Sequence, residues 1–332
     1  MSEETTRTKQ LPVPGKDMDS IMENLETGVT VLFTSDRYQE YLRTMAKFHN
    51  YSFNNTLLIA MQRPDATLVT SYKNWQSMGR QVMKGEKGIT IIAPAPYKKI
   101  REREVLDENQ RPILGADGKP RTEKVEVTVP HFKAVSVFDI AQTKGEPIQT
   151  LEPEMLTEAV KDFDSFMQAI REISPVPIRF DEIDSSANGY YHTVNKEIVI
   201  QKGMSESQTL KTAIHETAHA KLHDREIMES LGVEKDRQTK EVEAESVAYC
   251  VCSSFNLDTS EYSFPYIAGW SSNREMKEMK ASMDTIRQTA GEMIDQLTEK
   301  LEIARFYKID PAMLDSYKPN NAYRINTAKR NG

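Results

Sequence analysis

The chain has 332 residues, with 43 Lys and Arg against 50 Asp and Glu, a formal net charge of −7, and 38% hydrophobic beside 28% charged residues. That composition excludes a disordered or fibrous chain, leaves room for two domains, and requires any nucleic-acid partner to be met by a local basic surface. The longest apolar runs, such as residues 57–61 and 89–96, fall short of the roughly 18 consecutive apolar residues of a membrane helix, so no membrane partner is expected.

Residues 1–16 are polar, carry Pro12 and Pro14, and read as a flexible arm. Residues 1–10 lack the apolar segment of a secretory signal, so a cytoplasmic setting is expected. Helical spacing predicts helices over 38–48, with Tyr38, Leu42, Met45 and Phe48 on one stripe, and over 53–61, stopped by Pro64. Ser71 is placed to cap a short helix ending at Gly79, and 89–92 reads as a strand. Charge, prolines and the run 115–119 mark 101–123 as a mobile hairpin or insertion, before a second strand region at 125–137.

Polar residues 141–153 mark a domain boundary near 150. Beyond it, the pattern predicts a helix over 155–173, strands at 176–180 and 197–200, helices over 207–223 and 238–255, and more helix over 271–307. This is an α+β order with an antiparallel sheet beside a helical core. Cys250 and Cys252 fall two apart in one helix, where they do not face each other, so no disulfide is expected.

The sharpest chemical signal is His215-Glu216-Thr217-Ala218-His219. On a helix, His215 and His219 lie one turn apart and both offer nitrogen to a divalent metal, while Glu216 projects beside them as a proton acceptor for an attacking water. A catalytic zinc keeps three protein ligands. Leu222 and Arg225 stand where the long metzincin pattern needs Gly and His, so the third ligand must come from elsewhere.

Glu241 and Glu245 open the next apolar helix one turn apart. Glu241 is the preferred third ligand, and Glu245 is suited to accept a proton from a ligand histidine's other nitrogen. Glu243 points differently and is the weaker ligand candidate. His223, one turn past His219, reads as a helix-end residue with a dipole or surface role. Tyr190, Tyr191 and His192 are candidate donors to a developing oxyanion, with edge packing as the alternative. One zinc ion per chain is the expected cofactor.

Between Tyr72 and Arg103 lie eight basic residues, Lys73, Arg80, Lys84, Lys87, Lys98, Lys99, Arg101 and Arg103, against Glu86 and Glu102. With Trp75 and Tyr97 among them, and Asn54 and Asn55 upstream, the region has the ingredients for phosphate attraction and base stacking. The same residues are open to a core or solvated-loop reading.

The combination of Asn54-Asn55-Thr56-Leu57-Leu58-Ile59, Gln62-Arg63-Pro64, the 75–79 segment and Val82-Met83-Lys84-Gly85-Glu86-Lys87-Gly88-Ile89 resembles the single-stranded-DNA-binding domain of the plasmid antirestriction ArdC family and the related LtrC-like proteins of conjugative elements. Residues 132–138 resemble that domain's last strand. The C-terminal half resembles the metallopeptidase domain of ImmA/IrrE-like peptidases, with Glu241 and Glu245 in a glutamate-zincin arrangement. The resemblance implies four segments: an arm over 1–16, a DNA-binding domain over 17–145, a zinc-metallopeptidase-like domain over 150–260, and a helical extension over 261–332.

It also implies single-stranded DNA as a partner, an unidentified protein or peptide substrate, and a role in establishing a mobile element such as a conjugative plasmid, by protecting its DNA or acting on a host restriction or regulatory protein. The competing expectation is a non-catalytic DNA-binding antirestriction protein in which zinc is structural.

Overall fold

The computed structural model describes residues 17–33, 35–107, 111–115, 118–146, 163–259, 264–272 and 274–301. The expected arm at 1–16, the first part of the 155–173 helix and the end of the 271–307 helix lie outside them. The described chain separates into two units, one comprising residues up to Ile91 and from Ser136 onward, the other residues 92–135.

In the first unit, α1 (Met18–Leu32), α2 (Ser35–Lys47) and α3 (Phe53–Gln62) precede a small sheet. Asp17 caps α1 through the Ser20 amide, and Ile21, Leu25, Val29 and Leu32 give it one buried stripe. Ser52 caps α3 in the same way, and the helix stops at Gln62, ahead of Pro64. β1 (Val69–Ser71), β3 (Ile89–Pro94) and β6 (Phe132–Asp139) form a sheet in the order β1-β6-β3, with β1 and β6 antiparallel. Between β1 and β3 lie α4 (Tyr72–Ser77), capped by Ser71, and β2 (Arg80–Val82), which pairs with β7 (Thr143–Gly145).

Three side chains hold this sheet to its surroundings. Gln62 uses both ends of its amide on Thr90, donating to its carbonyl at 2.8 Å and accepting from its N–H at 2.9 Å, so it closes β3 as a further strand would. Trp75 is fully buried and donates its indole N–H to the Phe138 carbonyl at 2.8 Å. Asp139, 1% exposed, accepts from the amides of Thr67, Leu68 and Ala141 at 2.8, 3.1 and 2.9 Å.

The C-terminal part contains α5 (Phe163–Ile173) and a sheet of β8 (Ile178–Asp181), β9 (Gly189–His192) and β10 (Glu197–Gln201), in the order β8-β10-β9. This sheet is mixed, not antiparallel as expected: β10 runs parallel to β8 and antiparallel to β9. The reason is β10's central position, where Ile198, Val199 and Ile200 are all fully buried, flanked by a hairpin partner on one side and a crossover partner on the other. Then come α6 (Glu206–Leu222), α7 (Arg225–Leu231), α8 (Arg237–Ser254), α9 (Ile267–Ser272) and α10 (Met276–Lys300).

Gly189 lets β9 approach α6. A Cβ there would lie 2.6 Å from Thr212 Cγ2 and 3.0 Å from the Val199 carbonyl. Cys250 and Cys252 are buried thiols that are not joined in a disulfide. Among the described residues no helix is long and apolar enough to cross a membrane.

The second unit is built on an antiparallel ribbon of β4 (Tyr97–Glu104) and β5 (Thr122–Val129). The expected single strand region at 125–137 is thus two strands, β5 and β6, broken at Pro130, which lacks the N–H a ladder needs.

Asp139→Ala is expected to lower unfolding free energy by about 2–3 kcal/mol, because three buried amides lose their acceptor. Urea denaturation measures this, and a loss below about 0.5 kcal/mol would contradict the role given to Asp139.

Candidate metal centre

Ser205 caps α6 through the Gln208 amide, and Asp236 caps α8 through the Thr239 amide, so both helices start at fixed points. Ala213, Ala218, Ala244 and Ala248 are buried at 0%, and such small side chains allow two helix backbones close approach.

On α6, His215 and His219 project together, with their Nε2 atoms 3.1 Å apart. Glu241 Oε2 on α8 lies 3.8 Å from the first and 3.6 Å from the second. Tetrahedral coordination at zinc–ligand bonds near 2.1 Å separates ligand atoms by about 3.4 Å, which these edges bracket. The two imidazoles and one carboxylate bring three lone-pair atoms within 4.8 Å of one another, a donor set that fits a divalent cation.

Each histidine is held from behind. His215 Nδ1 lies 3.1 Å from Glu245 Oε2, an ion-pair distance whose direction misses straight hydrogen-bond geometry. His219 Nδ1 meets His223 Nδ1 at 3.0 Å, and His223 Nε2 meets Glu243 Oε2 at 3.0 Å. Lys235 Nζ donates to both Glu243 oxygens, at 2.8 and 2.6 Å.

One proton arrangement satisfies this chain when His219 offers its Nε2 lone pair. His219 Nδ1–H donates to His223 Nδ1, and His223 Nε2–H donates to the Glu243 carboxylate. Burial keeps the His223 pKa below its ordinary value. Burial works against ionising Glu243, but its bonds to His223 and Lys235 prevail and hold its carboxyl below the usual range.

His223 is therefore 6% exposed inside this chain, not at the surface as expected from its place at the helix end. Glu243, the weaker ligand candidate, is fully buried on the far side of α8 and is not among the converging ligand atoms. Lys235, just before α8, escapes spacing rules because nothing local marks it as the partner of a buried acid.

Glu216 is 7% exposed and lines the cleft beside His215 and His219. Burial raises its carboxyl above the usual range, against the pull of the His215 and His219 rings and the Tyr191 backbone N–H that donates to it. The cleft, about 880 Å³, is bounded by β9, α6 and α8. Tyr190 lines it and is 38% exposed.

Tyr191 also lines the cleft, but its hydroxyl donates to the Asp224 carboxylate, which Lys196 also pairs, so that donor is committed. His192 is not a lining residue. Its Nδ1 accepts from the Asn195 amide at 3.0 Å in the β9–β10 turn.

The DNA-binding candidates divide in the same way. Asn54 and Asn55 sit in the first turn of α3, half-buried, while Lys73, Lys84 and Lys87 are exposed. Trp75 offers no stacking face, being fully buried beneath β6. Arg80 is occupied by Thr143 and the Glu146 carbonyl, where it fastens β2 to β7. In the second unit Tyr97, Lys98 and Lys99 are exposed, but strand alternation puts Lys98 and Lys99 on opposite faces, and Lys98 pairs with Glu126 at 2.7 Å.

Residues 13–138 match a family model of the N-terminal domain of anti-restriction factor ArdC, and residues 171–258 match a model of the IrrE N-terminal-like domain. An uncharacterized protein of Bacillus anthracis is 29% identical over 310 residues, covering 86% of this chain and 52% of that protein. The DNA primase TraC of Escherichia coli is 31% identical over 185 residues, covering 53% of this chain and 12% of the primase. The chain thus spans about half the length of the first of these relatives and a small part of the second.

The metal-free and Mn(II)-bound crystal structures of antirestriction ArdC from plasmid R388 are similar at 21% and 20% identity. They cover 76% and 77% of this chain and 86% of theirs, with TM-scores of 0.43 and 0.44. The chain is an α+β protein of two modules, the N-terminal one matching the N-terminal domain of anti-restriction factor ArdC and the C-terminal one the IrrE N-terminal-like domain.

Glu243→Gln leaves Lys235 facing a neutral amide in a buried setting, and is expected to lower stability by about 2–4 kcal/mol in urea denaturation. Asp224 supplies a pH signature. Burial opposes its ionisation, but Lys196 and Tyr191 prevail and hold its carboxyl at about 2, below the 3.8 of an unperturbed aspartate. The folded value is the lower one, so this stabilisation is complete above about pH 4 and lost as pH falls toward 2. Asp224→Asn is expected to cost about 1–2 kcal/mol at pH 7, with the difference from wild type shrinking toward pH 2 in unfolding curves.

Proposed function

We propose that this chain is a single-stranded-DNA-binding, antirestriction-type protein whose C-terminal module holds one divalent metal ion, with zinc the preferred occupant, through His215, His219 and Glu241. The reading rests on the convergence of these three ligand atoms from two separate helices. An ion held there ties α6 to α8, a structural role that needs no substrate. A mixed nitrogen and carboxylate donor set suits zinc.

A second reading, hydrolysis of a peptide bond in a glutamate-zincin site, is favoured by one observation: Glu216, buried and beside both imidazoles, lines an open cleft. A divalent cation at such a site supplies Lewis acidity. In that reading Glu216 takes the proton of an attacking water and returns it to the leaving amine, while Glu245 holds His215 and Tyr190 offers a hydroxyl toward the cleft. Its substrate is a protein or peptide, with a host restriction or regulatory protein as one class.

Elemental analysis of protein purified without chelator is expected to find near one zinc per chain, and none in a folded His215→Ala/His219→Ala variant. At free zinc a hundredfold above its dissociation constant, the ion adds about 2.7 kcal/mol to wild-type stability, a gain the double variant lacks. Glu216→Gln separates the two readings. Metal content and protection of incoming DNA both survive if the ion is structural, whereas protection lost with metal retained makes hydrolysis the function. Absence of zinc uptake by the wild type overturns both.

A further inference from the structure

The ribbon of β4 and β5 is in register from Tyr97 opposite Val129 to Glu104 opposite Thr122. Directly opposed residues share a face, and neighbours along a strand alternate between faces. One face presents Tyr97, Lys99 and Arg101, opposite Val129, Val127 and Val125 in turn. All of β4 is exposed, and the three valines are half-buried, so they floor that face between the longer side chains. Beyond them Arg103 pairs with Glu123 at 2.9 Å.

The other face differs in charge. Lys98 pairs there with Glu126 at 2.7 Å, and Glu102 stands opposite Lys124. Among the described residues neither Lys99 nor Arg101 has an acidic partner. The face that also carries Tyr97, which is 49% exposed and in T-shaped contact with His131 at 6.0 Å, thus sets Lys99, Arg101 and Arg103 against Glu123 alone, whereas the other face sets Lys98 and Lys124 against Glu102, Glu104 and Glu126.

We propose that this face of the ribbon is a track for one strand of nucleic acid, with phosphates at Lys99 and Arg101, a base against Tyr97 and sugar and base edges over the valine floor. This rests on the DNA-binding reading given above and assigns it a surface. Residues two apart on a strand are separated by about 6.8 Å, which suits successive phosphates of an extended single strand. An aromatic ring beside the cations suits unpaired bases, whose faces are open, rather than a duplex, whose bases are stacked. An acidic peptide would satisfy the two cations but make no use of the ring.

The test is fluorescence anisotropy of the full chain with a labelled oligothymidine at several salt concentrations. It compares Lys99→Gln/Arg101→Gln with Lys98→Gln/Lys124→Gln, which removes equal charge from the opposite face. Circular dichroism confirms that each variant is folded. The first pair is expected to weaken binding about tenfold or more and to reduce the salt slope by about 1.4, at roughly 0.7 for each phosphate contact of a single strand. The second pair is expected to change little, and Tyr97→Ala to weaken binding by at least about fivefold.

Equal effects of the two pairs would assign binding to net charge and overturn the track. Wild-type binding unaffected by Lys99, Arg101 and Tyr97 would overturn it too, while leaving DNA binding intact elsewhere. A wild type that binds no oligothymidine would remove the reading on which it rests. Displacement of oligothymidine by polyglutamate at equal charge concentration would make the surface a site for acidic peptide, again against the proposal.

Discussion

The C-terminal module depends on the close packing of α6 against α8. Both helices carry fully buried alanines, and such small side chains let helix backbones pack closely enough for polar side chains to meet across the contact. His215 and His219 then reach Glu241 on one side, and His223 reaches Glu243 on another. Two acids on one helix thereby have opposite fates. Glu241 is half exposed at the cleft, where it can be shared with an ion, whereas Glu243 is fully buried and permanently satisfied by Lys235 and His223. Burying a carboxylate is costly unless it is paired and hydrogen-bonded, and here Lys235 and His223 meet both requirements, His223 in turn meeting the candidate ligand His219.

The two sequence modules share a core. Tyr38 meets Ser246 at 2.8 Å, the Leu42 carbonyl accepts from Cys250 at 3.5 Å, and the Ala46 carbonyl accepts from Ser254 at 3.4 Å. These contacts advance by four residues on both α2 and α8, so the helices run parallel and in step. Ser246 lies about 140° around α8 from Glu241 at 100° per residue. One helix thus presents a ligand to the cleft and a packing face to the N-terminal helices. Arg43, donating to the Tyr249 hydroxyl at 2.8 Å, adds a polar tie to the same junction.

Much of this was legible in the sequence because it depends on local spacing. Candidate ligands one helical turn apart, a serine before an apolar stripe and a proline after one can each be recognised without knowing the fold, and α2, α3, α6 and α8 emerged from such local signals. What escaped depends on long-range contact or on the alternation of a strand not recognised as one. His223 looks terminal until a helix that begins fourteen residues later folds over it. Trp75 looks available for stacking until β6, some sixty residues on, covers it. Lys98 and Lys99 look like one basic cluster until β4 turns them to opposite sides. The α1 stripe of Ile21, Leu25, Val29 and Leu32 was readable by the same periodicity that found α2.

Helix α10 changes what should be regarded as the module itself. The IrrE-type match ends at residue 258, yet the helix beginning at Met276 buries Met283, Ile286, Met293 and Leu297 completely. It lies against α8, α5, α2 and α3, so it closes the core from the side the matched region leaves open. Trp270, ahead of it, is buried and donates to Thr239 in the first turn of α8 at 3.1 Å. A fragment cut at the family boundary would keep every candidate metal ligand while exposing a continuous wall of apolar side chains. Recognition by sequence and autonomy in folding have different borders in this protein, and the segment with the fewest recognisable marks is structurally part of the core it follows.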